Sequence, residues 1–122
     1  MINNRKMRKI EGNTLCLIQT KGEAFTNAIG EKVANWVNVL EFTGILSLQA
    51  GDSKYSTHKT KLEESSHILL CEYDADIYAL ADQNTRIIAK DRMYDVLLID
   101  NPDERDEHLE IYLRFVGGQN GG

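Results

Sequence analysis

The stretch Met93–Val116 constrains this chain more than any other. It reads MYDVLLID, then NPDERDE, then HLEIYLRFV. The first part is an apolar run. The second is a charged seven-residue connection that holds the only proline. The third alternates apolar and polar residues without a break, the period of a strand with one buried face. Together they predict a β-hairpin whose apolar sides join a larger sheet.

The rest of the chain supplies that sheet. NTLCLIQT (13–20) is a short apolar run between polar ends and reads as a strand. Lys21–Gly30 has no clear period and reads as a loop or wide turn. Trp36–Gln49 carries the longest strand signal, with Leu40, Phe42, Gly44, Leu46 and Leu48 on one side. Gly44 interrupts that apolar side, which marks a bend or a close crossing of the kind small barrels need. HILLCEY (67–73) reads as a central strand and TRIIA (85–89) as another, while Lys90-Asp91-Arg92 forms a tight turn into Met93. IYALA (77–81) fits a short helix or a strand equally well. The expected fold is mostly β: a small antiparallel β-barrel of about six strands with a long inter-strand loop.

A chain of 122 residues is one domain. Residues 1–12 read as a basic arm or short helix, 13–116 as the barrel domain, and 117–122 (GGQNGG) as a flexible glycine-rich tail. Net charge is −5, unevenly spread: residues 1–11 carry +3 and the remainder −8. An acidic body argues against gripping nucleic acid over the whole surface, because phosphate binding needs a positive face. No run approaches the roughly 20 apolar residues of a membrane span. Nothing at the start resembles a secretion signal. Cys16 and Cys71 both lie in apolar runs and read as buried thiols in a reducing cytoplasm.

Catalytic chemistry finds little support. The histidines are His58, His67 and His108, none close to another in sequence. His67 and His108 could meet across paired strands with Glu110 beside His108, but polar residues on the outer face of a sheet explain them better. A Ser66, His67, Asp100 grouping lacks any nucleophile elbow. Phosphate-binding glycine loops are missing as well. The six carboxylates between Asp100 and Glu110 lack the central glycine of a calcium loop and read as a solvated turn. Between them and the long strand, 50–66 (AGDSKYSTHKTKLEESS) is patternless and long for a compact domain, which marks either a functional loop or a disordered, linker-like solvent loop. Its centre holds Lys54, Tyr55, His58, Lys59 and Lys61 with no acid, a composition suited to phosphate or a partner subunit.

A series of short motifs then points to a family. Glu64-Ser65-Ser66-His67 leads into a strand, Tyr94-Asp95-Val96 and Ile99-Asp100-Asn101-Pro102 follow, and His108-Leu109-Glu110-Ile111 and Gly117-Gly118 close the order. Across residues 36 to 118 this resembles the head-closure, or stopper, proteins of long-tailed phages, most of all the form carried by defective phage-like elements of Bacillus. The resemblance implies a small barrel that self-associates as a ring in the head-to-tail connector. Its neighbours would be an adaptor or portal-side ring protein and a tail-side protein, with packaged double-stranded DNA passing through. Such a protein is structural, not enzymatic, and needs no cofactor, metal or membrane. It is expected in the bacterial cytoplasm during assembly and then at the head-tail junction. By position, Gly51–Glu64 becomes the loop that closes the channel, with Lys54, Tyr55, His58, Lys59 and Lys61 facing the channel or a partner. His67, His108 and Glu110 become framework or interface residues. The alternative is an OB-like nucleic-acid-binding barrel, which would present aromatic residues for base stacking.

Overall fold

The computed structural model describes residues 12–48, 65–80 and 84–118. Residues 1–11 of the expected arm, the loop at 51–64 and the last four residues of the expected tail lie outside the described residues. Among the described residues there are eight strands: β1 (Thr14–Lys21), β2 (Phe25–Thr26), β3 (Lys32–Val33), β4 (Trp36–Leu48), β5 (His67–Glu72), β6 (Thr85–Ala89), β7 (Arg92–Asp100) and β8 (His108–Gly118). Six of them close an antiparallel barrel in the order β1-β4-β5-β8-β7-β6. β2 and β3 form a separate two-stranded hairpin. Among the described residues no helix is long and apolar enough to cross a membrane.

The alternation in β8 packs as its pattern requires. Leu109, Ile111 and Leu113 are fully buried, and they meet Cys16, Ile18, Leu69, Cys71, Ile87 and Val96 in one core. β4 is long because it serves two neighbours. Residues up to Gly44 pair with β1, and Ile45–Leu48 pair with β5. The change of partner falls at Gly44, where an added Cβ would lie 2.8 Å from the Leu70 carbonyl oxygen and 2.9 Å from Leu69 Cδ1. The close crossing expected from the sequence is therefore present, and only a residue without a side chain fits it.

Each end of the barrel has its own closure. At one end the one-turn helix α1 (Ala75–Tyr78) inserts Ile77, which is buried. Asp74 caps this turn, accepting from the amides of Asp76 (2.8 Å) and Ile77 (3.2 Å). IYALA thus begins as a helix. At the other end, His67, Tyr94 and Phe115 stack edge to face across the mouth.

Several expectations are corrected. Leu48 lies on the inward side of β4, yet it is 77% exposed, because the strand has run past the rim. Within Lys21–Gly30 lies half of the β2–β3 hairpin, whose turn is held by Asn27 accepting from the amides of Ile29 and Glu31. β8 extends through Gly118, which pairs with Arg92, so the first two residues of the expected tail belong to the barrel.

The two β7 turns carry strain. Lys90 and Asp91 both take left-handed φ (54° and 61°), the conformation a two-residue hairpin demands and one that glycine adopts more readily. In the 101–107 connection Asp103, Glu104 and Asp106 are also left-handed. Asn101, itself buried, clamps that loop: its side chain donates to Asp106 Oδ1 (2.8 Å) and accepts from the Asp106 amide (3.1 Å).

Candidate functional site

β4 and β5 bring the two ends of the long connection together. Leu48 and His67 are register partners, so the end of β4 and the start of β5 lie side by side on the rim. The aromatic mouth lies beneath that point. β5 alternates inward from Leu69 and Cys71, and His67 follows the same side. It is an inward rim residue, not the outer-face residue expected. Its ring sits 5.0 Å from that of Tyr94, which in turn lies 5.8 Å from Phe115. Phe115, in step with the buried Leu109, Ile111 and Leu113, is 46% exposed at the mouth.

A short hydrogen-bond relay fixes His67. The Phe115 amide donates to Ser66 Oγ (2.8 Å), and Ser66 Oγ is hydrogen-bonded to His67 Nδ1 (2.9 Å), with the direction set by the imidazole tautomer. Partial burial lowers the His67 pKa, and the Arg92 charge lowers it further. The folded state therefore binds this proton less readily than the unfolded chain. Stability from this group is complete above the unfolded value near 6.5. It is lost as pH falls from there through the folded pKa. Comparing urea midpoints between pH 8 and 5, His67→Gln is expected to flatten part of the acid-side decline. A slope unchanged by that substitution would remove His67 from the account.

The Tyr94 hydroxyl is buried and has no hydrogen-bond partner among the described residues. Tyr94→Phe keeps the ring stack and removes that polar atom. It is expected to raise stability by about 1 kcal/mol, measured by chemical denaturation. A loss of that size would show that the hydroxyl is paired.

The remaining predicted residues are dispersed. Lys54, Tyr55, His58, Lys59 and Lys61 lie outside the described residues. His108 and Glu110 share the outer face of β8, with His108 Nε2 at 3.3 Å from Glu110 Oε2 and the Tyr112 hydroxyl donating to Glu110 Oε1 (2.9 Å). His67 and His108 do not meet. They stand opposite Leu113 and Glu72 at the two ends of the β5–β8 ladder, roughly 17 Å apart at the usual rise per residue. Asp100, opposite Glu110, is likewise remote from the Ser66–His67 pair. Among the described residues no three His, Cys, Asp or Glu side chains are grouped to hold a metal ion.

Both cysteines are free and buried. Burial pushes the Cys16 thiol up to about 11. Burial pushes Cys71 to about 12, with Cys16, Asp74 and Glu72 adding to the effect. Neither forms a useful thiolate near neutrality. A thiol reagent at pH 8 is expected to modify both only on unfolding, in step with loss of the far-ultraviolet β signal; rapid labelling of the folded protein would contradict this.

One cluster escaped the sequence reading. On the outer face, the Arg86 guanidinium lies 4.1 Å from the centre of the Trp36 ring and Lys21 Nζ lies 5.7 Å from it. Gln19 joins them, accepting from Arg86 Nε (2.7 Å) and donating to Asn38 Oδ1 (2.8 Å). A bulge at Val39 causes it, since Leu40 pairs with Ile18 but Asn38 with Gln19. The extra residue turns Trp36 and Asn38 outward.

No family model matches this chain, and no curated protein matches it. Among solved structures it is similar to protein SF1141 of Shigella flexneri 2a, determined in solution, with a TM-score of 0.55. The two are 16% identical over 91% of this chain and 96% of that one. At that identity the likeness is one of fold, and it spans the whole barrel.

Proposed function

We propose that this chain is a structural subunit of a phage or prophage head-to-tail connector ring that closes the DNA channel after packaging and joins head to tail. The observation that supports it most is the Leu48–His67 register, which sets the two ends of the connection side by side on the rim of a closed barrel. The sequence between them holds Lys54, Lys59 and Lys61 on a chain whose body is acidic. A latch for DNA needs a rigid base, a long reach and positive charge at its tip, while the acidic body limits sticking elsewhere. The partners under this reading are further copies of the chain, an adaptor or portal-side ring protein, a tail-side protein and the packaged duplex. The activity would be mechanical, with no cofactor. Electron microscopy of particles from a strain lacking the gene is the test. Filled heads without tails, or heads that have lost DNA, are the expected result. Normal tailed particles would end the proposal.

A second reading, a nucleic-acid-binding barrel, is favoured by the Trp36 cluster, where one aromatic ring is flanked by two cations. Trp36 is the only tryptophan, so its emission reports on that face alone. Single-stranded oligonucleotides that quench it in a salt-dependent way, with Arg86→Ala weakening the effect, would favour this reading over the connector.

A further inference from the structure

β4 changes partner at Gly44, and what it leaves behind is an open edge. Residues Trp36–Thr43 pair with β1 on one side, and among the described residues no strand pairs with them on the other. The Asn13 amide donates to the Gly44 carbonyl, so Gly44 turns its peptide groups toward β1. By alternation, Glu41 and Thr43 turn theirs away from β1, toward the side on which no described strand pairs. Where β5 parts from β4 a cavity of about 290 Å³ opens, lined by Phe42, Thr43, Cys71, Glu72, Tyr73, Asp74 and Ile77. Phe42, Cys71 and Ile77 are its apolar lining residues, of which Cys71 and Ile77 are almost fully buried. Its rim is acidic: Glu72 and Asp74 line it, and the Tyr73 amide ties the rim to Glu107 through the Glu107 carbonyl. Desolvation, then Asp106, then Tyr78 and last Asp74 raise the Tyr73 pKa. The edge itself contributes Glu41, and Val37 and Val39 stand exposed along it.

We propose that this edge is a docking site for an extended segment of a partner protein that carries lysine or arginine at alternate positions. The segment adds a strand beside Trp36–Thr43, pairing with the peptide groups of Glu41 and Thr43. One of its long cationic side chains enters the cavity, laying its methylene stem on Phe42 and bringing its charge to Glu72 and Asp74. The edge supplies the backbone pairing, the cavity fixes register, and the carboxylates select the sign of charge. This site lies apart from the rim that carries residues 49–66 and stands whether or not the connector reading holds.

The probe is a short fluorescein-labelled peptide of alternating valine and lysine, titrated into the full-length protein and followed by anisotropy. It is expected to bind at low salt. A valine–glutamate counterpart should bind about tenfold more weakly or worse, as a few exposed charge pairs allow. Methylating alternate backbone amides of the peptide should abolish binding while leaving its charge intact. Asp74→Asn, which keeps the helix cap, should weaken the parent peptide several-fold. In amide exchange, Glu41 and Thr43 should exchange freely in the protein alone and become protected with the peptide. Three results overturn the proposal: no binding of the lysine peptide, binding indifferent to backbone methylation, or Glu41 and Thr43 already protected in the free protein. That last result would mean that this chain's own residues, or a second copy, already fill the edge.

Discussion

Gly44→Val is expected to destabilise the barrel by about 3 kcal/mol or more, the upper range for forcing atoms into a packed core. The reason is what the new side chain would meet. Its first carbon would fall 2.8 Å from a backbone oxygen, that of Leu70, and 2.9 Å from the side chain of Leu69. A flexible side chain could move aside, but the Leu70 peptide is held by its pairing with Ile45 and with Glu110. Relief therefore means breaking the β4–β5 ladder at the point where the barrel turns. Gly12 also lies against the Thr43–Gly44 backbone, which limits retreat in the opposite direction. Urea unfolding followed by circular dichroism gives the measurement. Ser47→Ala, at an exposed position three residues on, serves as the comparison and should stay within about 0.5 kcal/mol of the parent. If Gly44→Val unfolds at the parent midpoint, the close crossing is wrong.

Deleting Ser53–Lys61 is expected to have the opposite profile, with a folded protein and a lost function. The ends of the connection are fixed by the Leu48–His67 pair, and the core formed by the described residues is built from the barrel strands and Ile77. Halving the eighteen residues 49–66 changes the closure entropy by only about 0.6 kcal/mol, in the stabilising direction. The melting curve should therefore be unchanged or slightly improved. Under the proposed function, particles assembled with this variant should fill and then lose their DNA. Heads that remain full would count against the latch while leaving the barrel untouched. A collapse of stability would instead show that these residues belong to the fold.

The legible parts of the fold were those in which one residue in two is apolar. HLEIYLRFV became β8 with Leu109, Ile111 and Leu113 inside, as its pattern requires. Gly44 was readable because a missing side chain on an apolar face has few physical meanings. Faces were harder where the run is apolar throughout. HILLCEY shows no alternation, so nothing in it revealed that His67 points inward with Leu69 and Cys71. The Val39 bulge was invisible for a different reason: a bulge is a property of the pairing, and WVNVL alone contains no trace of it. Trp36 consequently reached the outer face unannounced. The signal that existed was Asn38, a polar residue two before Leu40 on what strict alternation makes a buried side. The one-turn helix is shorter than its own period, so only the Asp74 cap could have betrayed it. The cavity at the β4–β5 split depends on where β5 turns away, a tertiary event. Of the predicted site residues, His108 and Glu110 share the outer face expected of them, and the five loop residues are placed by sequence alone.

The order of strands around the barrel also sets a timetable for folding. β1 is flanked by β4 and β6, and β5 by β4 and β8. Only β4–β5, β6–β7 and β7–β8 join strands consecutive in the chain. Closure brings Thr20 to Thr85, and Cys16 to Ala89. Such distant pairings put the chain among slow folders, on the scale of milliseconds to seconds. On the ribosome, β5 waits for β8, the last of the six barrel strands in chain order. Until then β4 and β5 stand as a hairpin with an uncovered apolar face, exposed to chaperones and to other nascent copies. The final assembly of the barrel is thus timed by the synthesis of residues 108–118.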